Sequence, residues 1–336
     1  MIHTVLGEIP CEQLGITSSH EHIFIDMRHC VDITGKEPNV FYDKIRMNNR
    51  AEVFANPYGI LDNALLDEVE LAVEEVNYFK EWGGQTIVDC TLDEIGRDPI
   101  LLKEVSRRTG VNIIMGCGHY YQKAHAKYVE KASVEELTEE MRKDILFGVG
   151  DTGIKAGIIG EIGTSAIVSK GEKKVLHAAG IVSAETNKAI HVHTDLYTAN
   201  GFDIIDILTS EGASPSKICI DHVDVWLRPD YIKGLLDRGV YVEFDNFGKE
   251  FYTSKDGRFA YDLERIRLLS ELISQGYQDR ILICNDICLK TMWKAYGGNG
   301  YAHILRAVRD MAEQEGIENR VYDAFLTKNV KEFLCD

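Results

Sequence analysis

The chain is poor in positive charge. Its 336 residues carry 37 lysines and arginines against 54 aspartates and glutamates, a formal net charge of −17. A nucleic acid or an anionic membrane surface needs a basic footprint, so neither is an expected partner. Long apolar runs are also missing, and no stretch approaches the length that spans a bilayer. The opening residues, MIHTVLGEIPCEQLG, show no charged segment followed by an apolar one. No secretory signal is expected, and the reading is a cytoplasmic protein. The 8 cysteines form no C-x-x-C pair, and Cys90, Cys117, Cys219 and Cys284 lie inside apolar runs. Buried thiols in a reducing compartment are expected, not a disulfide framework. No low-complexity segment and no linker rich in proline or serine divides the chain. One domain over residues 1–336 is expected.

What is present is a rhythm. Short runs rich in β-branched and apolar residues end near His20 and recur at 85–91, 111–119, 153–163, 189–195, 217–224, 240–246 and 280–287. Between them lie stretches with helical spacing of apolar residues, such as LLDEVELAVEEVNYFKEWGG over 65–84, closed by Gly83 and Gly84. Strand then helix, eight times over, predicts an α/β fold of the (β/α)8 TIM-barrel type. The near-continuous apolar strands fit a parallel sheet buried on both faces. An open doubly wound sheet is the alternative, and no G-x-G-x-x-G after the first strand supports it. Residues 24–60 stand outside the rhythm and predict an extended first strand-to-helix loop over the barrel mouth.

The stretch SSHEHIFID, residues 18–26, holds His20 and His22 two apart. On a strand both point to one face, which suits a shared metal. Glu161, His193, His222 and Asp286 also fall at strand ends, where barrels of this type build active sites. A lone strand histidine is more often a hydrogen-bonded core residue, which suits His191, one pleat deeper than His193. A carboxylate in an apolar run such as LICND is harder to dismiss, because burial is costly unless it is paired or metal-bound. Six such side chains are too many for one tetrahedral zinc and suit two metals bridged by a carboxylate.

On the segments TVLGEIPCEQLGIT with SHEH, IVDCTLDEIGRDP, KAGIIGEIGTS, HVHTD, DHVD, VEFDNFGKE, ILICNDI and YGGNGYAHIL, the chain resembles the phosphotriesterase family of the amidohydrolase superfamily, above all its phosphotriesterase-related branch. The resemblance implies a binuclear centre, with His20, His22 and Asp286 on a buried metal and His193 and His222 on a more exposed one. Zinc is the first expectation, with manganese or cobalt as substitutes. Gly160 stands where the best-known members have a carboxylated lysine, and Glu161 is the implied bridge. Asn246 and Val225 stand where those members have a proton-relay histidine and aspartate. The implied activity is hydrolysis of a carboxylic ester, lactone or amide of a small anionic molecule, with Asp286 as the proton acceptor. A phosphoric ester hydrolase and a barrel that binds a small molecule without turnover are the alternatives. Tyr120 and Tyr121 match pocket-wall positions of the family, and Lys249 and Arg97 are further candidates for substrate binding. A homodimer is implied. The glycine-rich YGGNGY, 296–301, follows the last strand, where barrels often hold phosphate.

Overall fold

The computed structural model describes residues 1–31, 42–253 and 257–335. Eight strands run parallel and in chain order: β1 Thr17–Glu21, β2 Thr86–Asp89, β3 Asn112–Cys117, β4 Ile158–Gly163, β5 Ile190–His193, β6 Ile218–Ile220, β7 Tyr241–Phe244 and β8 Ile281–Ile283. Side chains close the seam between the last strand and the first. The Ser19 hydroxyl donates to the Ile283 carbonyl at 3.4 Å, and the Glu21 carboxylate accepts the amides of Asn285 (3.0 Å) and Ile287 (2.8 Å). The result is a (β/α)8 barrel.

The strands come from the apolar runs read in the sequence, and helices fill the gaps: α1 Val69–Glu81, α2 Pro99–Thr109, α3 Val134–Leu146, α4 Lys170–Thr186, α5 Gly201–Ser210, α6 Pro229–Asp237 and α7 Asp262–Ser274. Their starts are chemically marked. Asp98 caps α2, and Ser133 with Glu136 and Ser169 with Glu172 form capping boxes at α3 and α4. One boundary differs from the periodicity reading. Leu65–Leu66 pairs antiparallel with Ile25–Asp26 instead of joining α1. That small ribbon closes the base of the long first loop, of which 32–41 lie outside the described residues. After β8 come α8 Ala307–Gln314, α9 Asn319–Leu326 and α10 Lys328–Cys335.

The floor of the barrel is sealed from below by both ends of the chain. Ile2, Leu14, Val330, Phe333 and Leu334 pack with Val88, Ile114, Ile158 and Leu282 in one buried cluster. The thiol-only expectation is corrected here: Cys11 and Cys335, 324 residues apart, form a disulfide. The other six cysteines are free, as read. No helix among the described residues is long and apolar enough to cross a membrane.

Candidate metal centre

Four imidazoles and two carboxylates meet at the C-terminal ends of the strands. His20 and His22 share one face of β1, and their Nε2 atoms lie 3.4 and 3.3 Å from the two Glu161 oxygens. The Nε2 of His22 is also 3.2 Å from Asp286 Oδ1. From the other side, His193 Nδ1 and His222 Nε2 lie 3.1 and 3.5 Å from Glu161 Oε2. Glu161 is therefore common to both pairs. Two further site residues, His222 and Asp286, are held at positive φ, 61° and 47°. Backbone strain of that kind persists only where the surroundings fix it. The His222 amide is held by Asp245 Oδ2 at 2.8 Å.

Glu161 reaches the centre because β4 bulges. Its register against β5 shifts between Ile159 and Ile162. The period-two rule would aim Glu161 away from the centre, and the extra residue turns it back. The bulge needs glycine. Gly160 has φ +111°, and a Cβ there would lie 2.3 Å from the His191 carbonyl oxygen.

The far nitrogens of three histidines are anchored. His20 Nδ1 faces Glu243 Oε2 at 3.2 Å, His22 Nδ1 faces Thr91 Oγ1 at 2.9 Å, and His222 Nδ1 faces Asp245 Oδ2 at 3.0 Å. For His20 and His22 the contact is a hydrogen bond, which places the N–H on the far nitrogen and leaves the near one a lone pair, the tautomer that a metal requires. The buried Nε2 of His20 has no hydrogen-bond partner. An orphaned imidazole nitrogen, beside two carboxylates and three more imidazoles, fits divalent-cation binding better than a hydrogen-bonded core. Glu243 and Asp245 escaped the sequence reading, although two carboxylates inside the apolar run VYVEFDN were a visible signal.

A chamber of about 310 Å³ opens over this cluster. Lys249, Tyr120 and Tyr121 line it, together with Tyr58, Phe251 and Phe259. The Tyr120 hydroxyl is 3.1 Å from His193 Nδ1. Lys249 is buried, and its Nζ pairs with Asp286. Burial opposes charge on both, but their mutual attraction outweighs it, so Asp286 is held well below the usual carboxylate range and Lys249 above the usual amine range. Asn246 also lines the chamber, fixed by Asp224, which is paired with the fully buried Arg265.

Arg97 is not brought to the chamber. Its guanidinium donates to the Gly116 carbonyl (2.9 Å) and pairs with Asp144 of α3 (3.1 Å), on the outer side of the barrel wall. The YGGNGY segment gives no free cradle at its glycines either. The amides of Gly297, Gly298 and Gly300 donate to the carbonyls of Lys294, Trp293 and Met292. Its end places Tyr301, whose hydroxyl donates to the His22 carbonyl at 2.7 Å.

A family model described as the phosphotriesterase family matches residues 1–334. The N-acetyltaurine hydrolases of Xenopus tropicalis and Homo sapiens are each 36% identical, over 339 and 345 residues, covering 99% of this chain and 97% of each relative. A resiniferatoxin-binding protein from Rhodobacter sphaeroides superposes with a TM-score of 0.96 at 30% identity, over 99% of this chain and 94% of that one. A phosphotriesterase homology protein from Escherichia coli, with phosphate in its active site, superposes at 0.81 and 28% identity, over 96% of this chain and 99% of that one.

Proposed function

The chain belongs to the phosphotriesterase family and is a hydrolase, and from that premise we propose that it cleaves the amide bond of small N-acylated amino acids or amino sulfonates. Within the wider class of carboxylic ester, lactone and amide hydrolysis, the amide is favoured by relatives named N-acetyltaurine hydrolase. The observation that carries the reading is the convergence of six ligand-type side chains, five of them lining a chamber whose described lining residues include one lysine. Phosphoric esters are disfavoured, because Asn246 offers no titratable proton at the chamber wall.

His20, His22 and Asp286 would hold one metal, His193 and His222 the other, and Glu161 both, with zinc first and manganese or cobalt as substitutes. Two divalent cations there would make hydroxide available near neutral pH and polarise the substrate carbonyl. Asp286 accepts the nucleophile's proton and returns it to the leaving nitrogen, as a positioned carboxylate can. Lys249 holds the substrate's carboxylate or sulfonate at the β7 side of the chamber. Tyr120, whose hydroxyl lies 3.1 Å from His193 Nδ1, would donate that hydroxyl to the acyl oxygen. With no histidine at position 246, Asp286 handles the proton without a side-chain relay.

The test joins metal analysis to a screen of N-acyl amino acids, N-acyl amino sulfonates, esters and lactones. Close to two metal equivalents per chain are expected. Asp286→Asn keeps the size and one coordinating oxygen, and turnover should fall by roughly two to four decades. A metal content near zero in protein supplied with zinc or manganese sinks the binuclear reading. Undiminished turnover in the variant removes Asp286 from the proton transfer.

A further inference from the structure

The chamber is larger and more apolar than an acetyl group requires. Its volume of about 310 Å³ equals that of roughly ten waters at ~30 Å³ each, whereas an acetyl group adds one methyl to a carbonyl. Its lining is mostly apolar, and Thr164, Ser165 and Asp195 add polar groups to those of the metal-type ligands. The metal-type ligands form the floor, and Lys249 is the sole lysine or arginine among the described lining residues. Among the apolar lining residues are Ile25, Met27, Tyr58, Tyr121 and Leu196. Ile25 and Met27 are buried. Tyr121 offers its ring and not its hydroxyl, because the phenol oxygen is taken up by Cys30 Sγ at 3.1 Å. The ring lies nearly parallel to that of His193, at 5.9 Å and 21°.

We infer that the acyl group taken by this site is an apolar chain of medium length, hexanoyl to decanoyl, with the anionic group of the substrate at Lys249 and the chain against Ile25, Met27 and Leu196. The inference rests on the amidase reading above and goes beyond the acetyl group named for the relatives. Its physical basis is that an apolar wall left to water gains from each methylene laid on it, about fourfold in binding per methylene. The chain seat is distinct from the reacting atoms and acts on specificity alone.

A series of N-acylglycines, from acetyl through butanoyl, hexanoyl, octanoyl and decanoyl to palmitoyl, tests it in the protein as purified with its metal. kcat/KM should rise by about fourfold per methylene until the chamber is full, leaving octanoyl at least about a hundredfold above acetyl, and palmitoyl should gain nothing further. A second readout is independent of turnover: octanoate should bind more tightly than acetate by calorimetry, since the two share a head group and differ only in the chain. Leu196→Trp, at a half-buried position, and Ile25→Phe each fill part of the seat and should lower the octanoyl-to-acetyl ratio about tenfold. Acetyl equal to or better than octanoyl, or a ratio unmoved in both variants, overturns the inference. So does a length dependence that appears only when the amine side is varied, from glycine to leucine to phenylalanine. If no N-acylglycine is cleaved while octanoate still binds in preference to acetate, the amidase reading falls and the apolar seat stands. Equal binding of octanoate and acetate removes the seat, whatever the turnover.

Discussion

At position 160 a side chain has no room, and this single glycine decides which residue serves the centre. The bulge it permits brings Glu161 within 3.5 Å of His20, His22, His193 and His222. Gly160→Ala would place a methyl 2.3 Å from a backbone oxygen at a φ that L residues rarely adopt. We expect a loss of on the order of 3 kcal/mol in stability, together with loss of metal, read by thermal unfolding and elemental analysis of one preparation. An alanine variant with both intact would show that the bulge is not what aims Glu161. Glu243 makes a second prediction. It accepts the Ser19 hydroxyl and faces both His20 Nδ1 (3.2 Å) and His191 Nδ1 (3.3 Å). Glu243→Gln keeps the volume and removes the charge that fixes the His20 tautomer, so metal affinity should drop by roughly ten- to a hundredfold in chelator competition. Unchanged affinity would reduce Glu243 to a packing residue. The histidines could be read from the sequence because period two needs only neighbouring residues. Glu161 broke that period, and Glu243 joins the centre only through a strand more than two hundred residues from His20.

At the scale of elements, the sequence foretold strands and helices well where the signal was local: apolar runs, capping serines, a glycine after a helix. It misplaced Arg97 because the loop after β2 bends outward to α3 and not inward to the chamber. The same outward contact contains His119, just past β3. Its Nδ1 lies 2.5 Å from Glu94 and its Nε2 3.7 Å from Glu140 of α3, while Arg97 pairs with Asp144 one turn on. Burial opposes charge on this imidazole, but the bonds to Glu140 and Glu94 outweigh it and raise its pKa from 6.5 to about 9. A raised histidine stabilises the fold fully below its unfolded value and loses that contribution as pH climbs through the folded one. The barrel should therefore lose up to roughly 3 kcal/mol between about pH 6.5 and 9.5 at this clasp. Thermal unfolding of wild type and His119→Gln across that range isolates the term. The variant should be less stable at the lower pH, and the gap should close at the higher. A gap that is constant with pH would mean that His119 is neutral throughout.

The whole molecule is joined at its base. The eight-strand order could be read in advance, because each strand and its following helix are consecutive in the chain. The meeting of the two ends could not, because no spacing rule links residues 324 apart. In the folded chain Lys217 donates to the Phe333 carbonyl (2.9 Å), Lys331 pairs with Glu12 (3.2 Å), and Phe333 packs edge-on against His191 at 5.0 Å. The Cys11–Cys335 bond adds a covalent closure over nearly the entire sequence. Closing so long a loop removes freedom from the unfolded chain, worth roughly 6 kcal/mol in the loop-entropy model. Denaturant midpoints should accordingly be higher without reductant than with it. Cys11→Ser should match the reduced protein and no longer respond to reductant. Thiol titration of the denatured, unreduced chain should find the six free cysteines and no more. The apolar contacts of Ile2, Leu14, Val330 and Phe333 remain when the bond is cut, so the reduced barrel should still fold and still bind metal. Eight reactive thiols in freshly purified protein, with a midpoint indifferent to reductant, would show that those contacts hold the floor without the disulfide.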